Sequence, residues 1–100
     1  MERKYMIISQ LSISPVGIGT SLNKYVKIVL NTLKKSNTTF ETNDMATVIE
    51  TKDLEKLFKV FQEANKAVIK TGAKRVITEL KIDDRRDKNV TIGTKSKVVQ

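Results

Sequence analysis

Three short segments of this chain hold residues that could do chemistry, and the first is the glycine-rich run Gly17-Ile18-Gly19-Thr20-Ser21. A loop of this kind before a helix presents main-chain N–H groups, which bind anions readily. Its spacing matches neither the dinucleotide fingerprint nor the phosphate loop with its Gly-Lys-Ser/Thr ending. The alternative is a structural turn in which Thr20 or Ser21 caps the following helix. Residue types alone leave both interpretations open.

The second segment is Met45–Glu50, whose residues alternate in the manner of a strand. Alternation gives Thr47 and Ile49 one face, and gives Glu50 and Val48 the other. A carboxylate near an apolar surface can accept from an amino group of a ligand, so Glu50 is a candidate binding group; Thr47 becomes one through the resemblance described below. The alternative for Glu50 is a solvated or salt-bridged residue at the end of a strand.

The third segment is the charged run Asp83-Asp84-Arg85-Arg86-Asp87-Lys88 at the end of an alternating stretch. Arginine and carboxylate groups form bidentate pairs that can orient a protein interface. We interpret the run as a salt-bridge cluster between protomers; the alternative is a charged loop after an edge strand. Metal binding by Asp83, Asp84 and Asp87 is disfavoured because the neighbouring arginines and lysine repel a cation, so no metal site is predicted.

Composition argues against an enzyme. The chain of 100 residues contains no histidine and no cysteine, which removes the commonest general base and the thiolate nucleophile. An enzyme using Asp, Glu, Lys or Tyr is a minor alternative. We expect one domain over residues 1–100, without a cofactor. The apolar runs are too short to span a membrane, and the start does not read as a signal peptide, so a cytoplasmic location is expected.

The net charge of +8 suggests a second functional class. Residues 1–50 carry six basic and four acidic groups, whereas residues 51–100 carry thirteen and seven. The alternative function is therefore an RNA-binding module that uses a basic sheet surface. No strand offers the aromatic signature of such modules, and basic residues alternate with acidic ones. We therefore favour a solvated, ion-paired surface and consider a nucleic-acid partner the weaker hypothesis.

The periodicity predicts six main elements in the order β-α-β-β-α-β, which is the ferredoxin-like α+β two-layer sandwich with an antiparallel sheet and both helices on one face. The other face would expose Met6, Ile8 and Ile77, so either a second copy of the chain should cover it or it should serve as a ligand surface. The predicted elements are a strand over 3–13, a helix ending near Lys35, strands over 38–42 and 45–50, a helix capped by Thr51 and followed by Gly72, a strand from Arg75, and a short fifth strand over 90–92.

Three segments resemble one known family. The run RVITELKIDDRRDK (residues 75–88) is similar to a signature of the small thiamine-binding-protein (YkoF-like) family, and Pro15–Ser21 with Tyr25-Val26 and Met45–Glu50 agree in order and spacing. The resemblance implies a homotetramer built as a dimer of dimers. It also implies a non-catalytic binding protein for thiamine or its hydroxymethylpyrimidine portion.

The same resemblance implies the placing of the ligand. The loop with Thr20 and Ser21 and the strand with Thr47 would border the pocket, close to a subunit boundary. The Glu50 carboxylate would accept a hydrogen bond from the amino group of the aminopyrimidine. Ala46 stands where the family has a glycine, so the pocket is expected to be tighter here.

Overall fold

A four-stranded sheet carries two helices in the computed structural model, which describes residues 5–17, 23–43 and 45–92. The element order is β-α-β-β-α-β, as predicted. The elements are β1 (Ile7–Pro15), α1 (Asn23–Lys35), β2 (Thr39–Thr42), β3 (Thr47–Thr51), α2 (Leu54–Ile69) and β4 (Val76–Asp83).

The strands lie in the order β2-β3-β1-β4, and each neighbouring pair is antiparallel. β1 therefore lies in the interior of the sheet, and none of its nine residues is charged. Its pairing with β4 runs from Ile8–Asp83 to Pro15–Val76. Its pairing with β3 is shorter and ends at Leu11–Thr47. This topology is the ferredoxin-like sandwich.

Both helices pack on one face of the sheet, because one apolar cluster joins residues of both helices to β1 and β3. Each helix is amphipathic, with apolar residues at three- and four-residue intervals that form a single stripe. The cluster consists of Leu11, Val29, Leu33, Ile49, Val60, Ala64 and Val68.

Two predicted element ends and one predicted strand are wrong. Thr51 does not cap α2, because it is still paired with Ile7 and buried; the cap is Asp53, whose carboxylate accepts from the Lys56 N–H at 2.7 Å. Pro15 does not end β1 early, since the lack of an N–H is tolerated at the end of a strand. Residues 90–92 form no strand, although Val90 is buried.

The sheet face turned away from the helices, here called the outer face, is less apolar than expected. Thr47 and Ile49 are buried on the helix side, so β3 presents Val48 and Glu50 outward. By the strand register, the outer face carries three apolar side chains, one lysine and four acidic ones: Ile8, Val48, Ile77, Lys81, Glu41, Glu50, Glu79 and Asp83. The expected contiguous apolar patch and the expected basic sheet surface are therefore both absent from the described strands.

Candidate functional site

Unequal strand pairing opens a notch in the sheet. β1 continues to Pro15, but its pairing with β3 stops at Leu11. From Ser12 to Ser14, β1 is paired with β4 on one side and, within the described residues, with no strand on the other. Main-chain N–H and C=O groups on such an edge need another partner, either water or a ligand.

The notch lies between the end of β1, the start of α1 and the β2–β3 turn. Its volume is about 290 Å³. Hydroxyl and amide groups alternate with apolar side chains around it, and none of the described lining residues is charged. The lining residues are Leu11, Ser12, Ile13, Ser14, Asn23, Val26, Val29, Thr42, Asn43, Met45, Ala46 and Thr47.

The β2–β3 turn forms one wall and is held by the side chain of Asn43. Its Oδ1 accepts from the main-chain N–H groups of Met45 at 2.8 Å and Ala46 at 3.1 Å, and the Asn43 N–H donates to the Ala46 carbonyl at 3.0 Å. A side chain that bonds the nearby backbone in this way stabilises a turn. The φ of Asn43 is not positive; among the described non-glycine residues, Asn37 alone has a positive φ.

Thr47 faces this notch from the first position of β3. Its side chain is 7% exposed, and its hydroxyl lies 3.2 Å from the hydroxyl of Thr42. The Thr42 hydroxyl also lies 3.5 Å from the Ala46 carbonyl, to which it donates. With the Thr42 proton used for the Ala46 carbonyl and the Thr47 proton for Thr42, the free lone pairs of these two hydroxyls beside the apolar Leu11 can accept from one ligand group. Ala46, the position at which the resembled family has a glycine, also lines the notch.

Glu50 does not join Thr47. The two residues are three positions apart on one strand, so they lie on opposite faces of the sheet. The Glu50 Oε1 instead accepts from the main-chain N–H of Ile92 at 3.2 Å. The other two predicted site residues, Thr20 and Ser21, lie outside the described residues.

The charged run after β4 forms ion pairs within one chain. The Arg85 guanidinium binds both carboxylate oxygens of Asp87, at 2.6 and 3.0 Å, and the Arg86 Nη2 lies 3.4 Å from Asp84. The hydrogen bond from Arg85 lowers the pKa of the Asp87 carboxyl to about 2, and the same bond raises the pKa of Arg85. Within the described segments, no group of three acidic residues is arranged to hold a metal ion.

The sequence interpretation missed most of the notch. The sequence patterns predict Ser12, Asn23 and Thr42 only as strand or helix residues and place Ser14 in the break after the first strand. A signal did exist, because β1 places small hydroxyl side chains after Leu11, where a fully paired inner strand usually carries larger residues. Those positions line a cavity only because β3 pairs with β1 no further than Leu11. That limit depends on pairing between segments distant in the sequence.

Similarity to known proteins assigns the chain to a family. The family model of the thiamine-binding proteins matches residues 9–100. This chain belongs to that family. A UPF0045 protein of Methanocaldococcus jannaschii is 42% identical over 93 residues, which cover 93% of this chain and 91% of the relative. A second UPF0045 protein, from Methanothermobacter thermautotrophicus, is 43% identical over 83 residues, covering 82% and 84%.

Solved structures support the same fold. The crystal structure of the Methanocaldococcus jannaschii protein has a TM-score of 0.85 at 41% identity and covers 94% of this chain and 95% of its own. A Thermotoga maritima protein, named for a proposed role in thiamine biosynthesis or salvage, has a TM-score of 0.79 at 17% identity, covering 95% and 99%. At that identity the second likeness shows the fold alone. None of the described helices is long and apolar enough to cross a membrane.

Proposed function

We propose that this protein is a non-catalytic binding protein for thiamine or its hydroxymethylpyrimidine portion, and that the ligand occupies the notch beside the β2–β3 turn. Membership of the thiamine-binding family supports the class of ligand. The observation that carries the location is the notch itself, where a strand edge that pairs with no described strand meets described side chains that are polar but uncharged, and apolar walls. Small-ligand pockets combine these two features.

The uncharged lining favours the pyrimidine part of the ligand. Thiamine joins a neutral aminopyrimidine to a cationic thiazolium, and its phosphates add negative charge. No described residue of the notch supplies a charge to balance either ion, and an unbalanced charge is costly to take from water. The volume of about 290 Å³ is near the lower end for ligand pockets, roughly 300–1,000 Å³. We infer that the pyrimidine enters and the rest of the molecule stays outside.

The same lining supports binding rather than catalysis. General acid–base catalysis needs a titratable group within hydrogen-bonding reach of the substrate. The described lining offers hydroxyls and amides, which orient a ligand but do not ionise near neutral pH.

The assembly is part of the proposal. We expect a cytoplasmic homotetramer, and the β4 strand supports self-association because its outer edge is eight residues long and pairs with no described strand. An exposed edge of that length is a ready template for pairing with another chain.

A thermal-shift panel tests the function. The ligands are thiamine, thiamine phosphate, hydroxymethylpyrimidine and the thiazole alcohol, each at several concentrations. A ligand at 100 times its Kd should stabilise the fold by about 2.7 kcal/mol. We expect the Tm to rise with hydroxymethylpyrimidine and thiamine and to stay constant with the thiazole. A rise with the thiazole alone, or none with any pyrimidine, would contradict the proposal.

A further inference from the structure

Charge is divided between the two layers of the molecule. The helices α1 and α2, together with Lys70, carry eight lysines and two glutamates. The four strands carry four acidic residues and one lysine. Most of the net charge of +8 therefore lies on the helix layer, on the side opposite the acidic outer face.

The lysines form two stripes on the exposed side of the helices. Spacings of three, seven and eleven residues keep them on one side of each helix, away from the buried residues. We name this the lysine surface; it consists of the exposed Lys24, Lys27, Lys34 and Lys35 of α1 and Lys59, Lys66 and Lys70 of α2 and its cap.

The two stripes run side by side. The Lys56 ammonium in the first turn of α2 donates to the Ser36 carbonyl just after α1, at 2.9 Å, so the helices are antiparallel neighbours. Packed helix axes lie about 8–10 Å apart. At about 1.5 Å per residue, each stripe is roughly 15 Å long. The lysine surface is thus a positive area about 15 Å long and more than one helix wide.

Among the described residues, no acidic side chain forms an ion pair with these lysines. Across the described ranges, ion pairs join residues of the charged run after β4, and none of them involves the lysine surface. Glu63, which lies among the lysines, accepts a hydrogen bond from the Ser36 hydroxyl at 2.9 Å. Within the part of the chain that the structure describes, the ion pairs expected of this surface are not found on the helix layer, so its positive potential is available to a partner.

We propose that the lysine surface binds the phosphate backbone of double-stranded nucleic acid without reading its sequence. Duplexes carry about one negative charge per 1.7 Å of axis, so a stripe of this length meets several phosphates. Single strands are the poorer partner because their binding relies on stacking against several aromatic side chains. Of the described aromatic residues, only Phe58 is exposed. This site is separate from the notch and does not depend on thiamine binding.

The test measures affinity of the full chain for a short labelled duplex, in RNA and DNA versions, as a function of salt. Contacts to four or five phosphates should make the affinity fall a few hundredfold between 50 and 200 mM salt. The surface variant is Lys27→Gln with Lys34→Gln, Lys66→Gln and Lys70→Gln. The matched control removes four lysines elsewhere, as Lys52→Gln, Lys74→Gln, Lys81→Gln and Lys88→Gln. Glutamine forms helices nearly as well as lysine, so α1 and α2 should persist, and circular dichroism verifies this.

We expect the affinity of the surface variant to depend much less on salt. The slope of log affinity against log salt concentration should shrink by about 0.9 for each phosphate contact removed. The control variant should keep the slope of the original chain. RNA and DNA duplexes should bind alike. Three results would overturn the proposal: equal losses in the two variants, no duplex binding at 50 mM salt, or binding confined to phosphatidylserine vesicles.

Discussion

Glu50 and Ile92 are joined by a hydrogen bond across the outer face: the Ile92 main-chain N–H donates to the Glu50 Oε1 at 3.2 Å. The bond holds the segment after β4 against β3, a strand with which it is not paired. It also engages the Glu50 carboxylate on the side of the sheet opposite Thr47. Glu50 is therefore engaged within one chain and is not among the described residues that line the notch.

Removing this acceptor should cost stability. Glu50→Ala leaves the Ile92 N–H without its partner, and we expect a loss on the order of 1 kcal/mol because the bond is only partly buried. Glu50→Gln keeps an oxygen acceptor and should unfold closer to the original chain. Urea unfolding measures both. If the ligand binds in the notch, neither substitution should alter the affinity for the pyrimidine. A large loss of affinity in Glu50→Gln would instead place the ligand on the outer face.

The Thr47 hydroxyl should contribute to ligand affinity. Thr47→Val keeps the shape of the side chain and removes the hydroxyl that lies 3.2 Å from Thr42. A lost neutral hydrogen bond of about 1 kcal/mol corresponds to roughly a fivefold loss of affinity for hydroxymethylpyrimidine. Titration calorimetry provides the measurement. The control is Thr39→Val on the exposed part of β2, and an equal loss there would mean that Thr47 has no direct contact.

Ala46 should limit the size of the ligand. Ala46→Gly widens the notch beside the turn, and we expect tighter binding of thiamine, while Ala46→Leu should abolish it by filling the same space. The glycine also loosens the backbone and should lower stability by up to about 1 kcal/mol. Ala67→Gly on α2 is the control for that loss, since it lies away from the notch. Weaker thiamine binding in folded Ala46→Gly would show that the methyl group is a contact rather than an obstacle.

The Arg85–Asp87 pair should be visible in an acid titration. The Asp87 pKa of about 2 lies below its ordinary value of 3.8 because Arg85 donates two hydrogen bonds to the carboxylate. Because the pKa of Asp87 is lower in the folded chain than in the unfolded one, its ionised carboxylate stabilises the fold at pH values above about 4. This stabilisation is lost as the pH falls from about 4 through 2. Carbon-detected NMR should show Asp87 titrating near pH 2, and near 4 in Arg85→Gln. Titration near 4 in both proteins would mean that the pair does not form in solution.

Two measurements address the assembly: the mass of the oligomer, and the effect of the charged run on that mass. Light scattering should return four times the mass of one chain at micromolar concentration. If the run also contacts a neighbouring protomer, Arg86→Gln with Asp87→Asn should reduce that mass, since interfacial charge pairs hold the register of an assembly. Lys88→Gln is the single-charge control. If the tetramer persists in the double variant, the charged run does not hold protomers together. Its ion pairs then form only within one chain, where the paired residues are two positions apart.

The fold was readable from the sequence because its signals are local. The alternation of Val76, Thr78, Leu80 and Ile82 fixes the buried face of β4, and the register pairs them with Pro15, Ile13, Leu11 and Ser9. Gly72 was expected beyond α2 and does adopt a positive φ of 100°. Thr51 was misread because a threonine before acidic residues resembles a helix cap, although pairing with Ile7 holds it in β3.

The site was less readable because it depends on lengths that local patterns do not encode. Ser12 and Ser14 become notch residues only because β3 starts opposite Leu11. The resemblance makes Thr47 a candidate, and Thr47 does line the notch, whereas alternation already places Glu50, the other candidate on this strand, on the opposite face. Ion pairing of the lysines of α1 and α2 likewise depends on how the two helices pack, which the order of residues along the chain does not show.

The unequal strand pairing also sets the order in which the sheet should open. β1 and β4 share eight paired positions, whereas the β2–β3 hairpin shares four and has β2 at its edge. Regions with fewer paired neighbours exchange their amide hydrogens through smaller, more frequent openings. Amides near the Asn43–Ala46 turn should therefore exchange well before those of β1 opposite β4, and a ligand in the notch should slow the turn amides first.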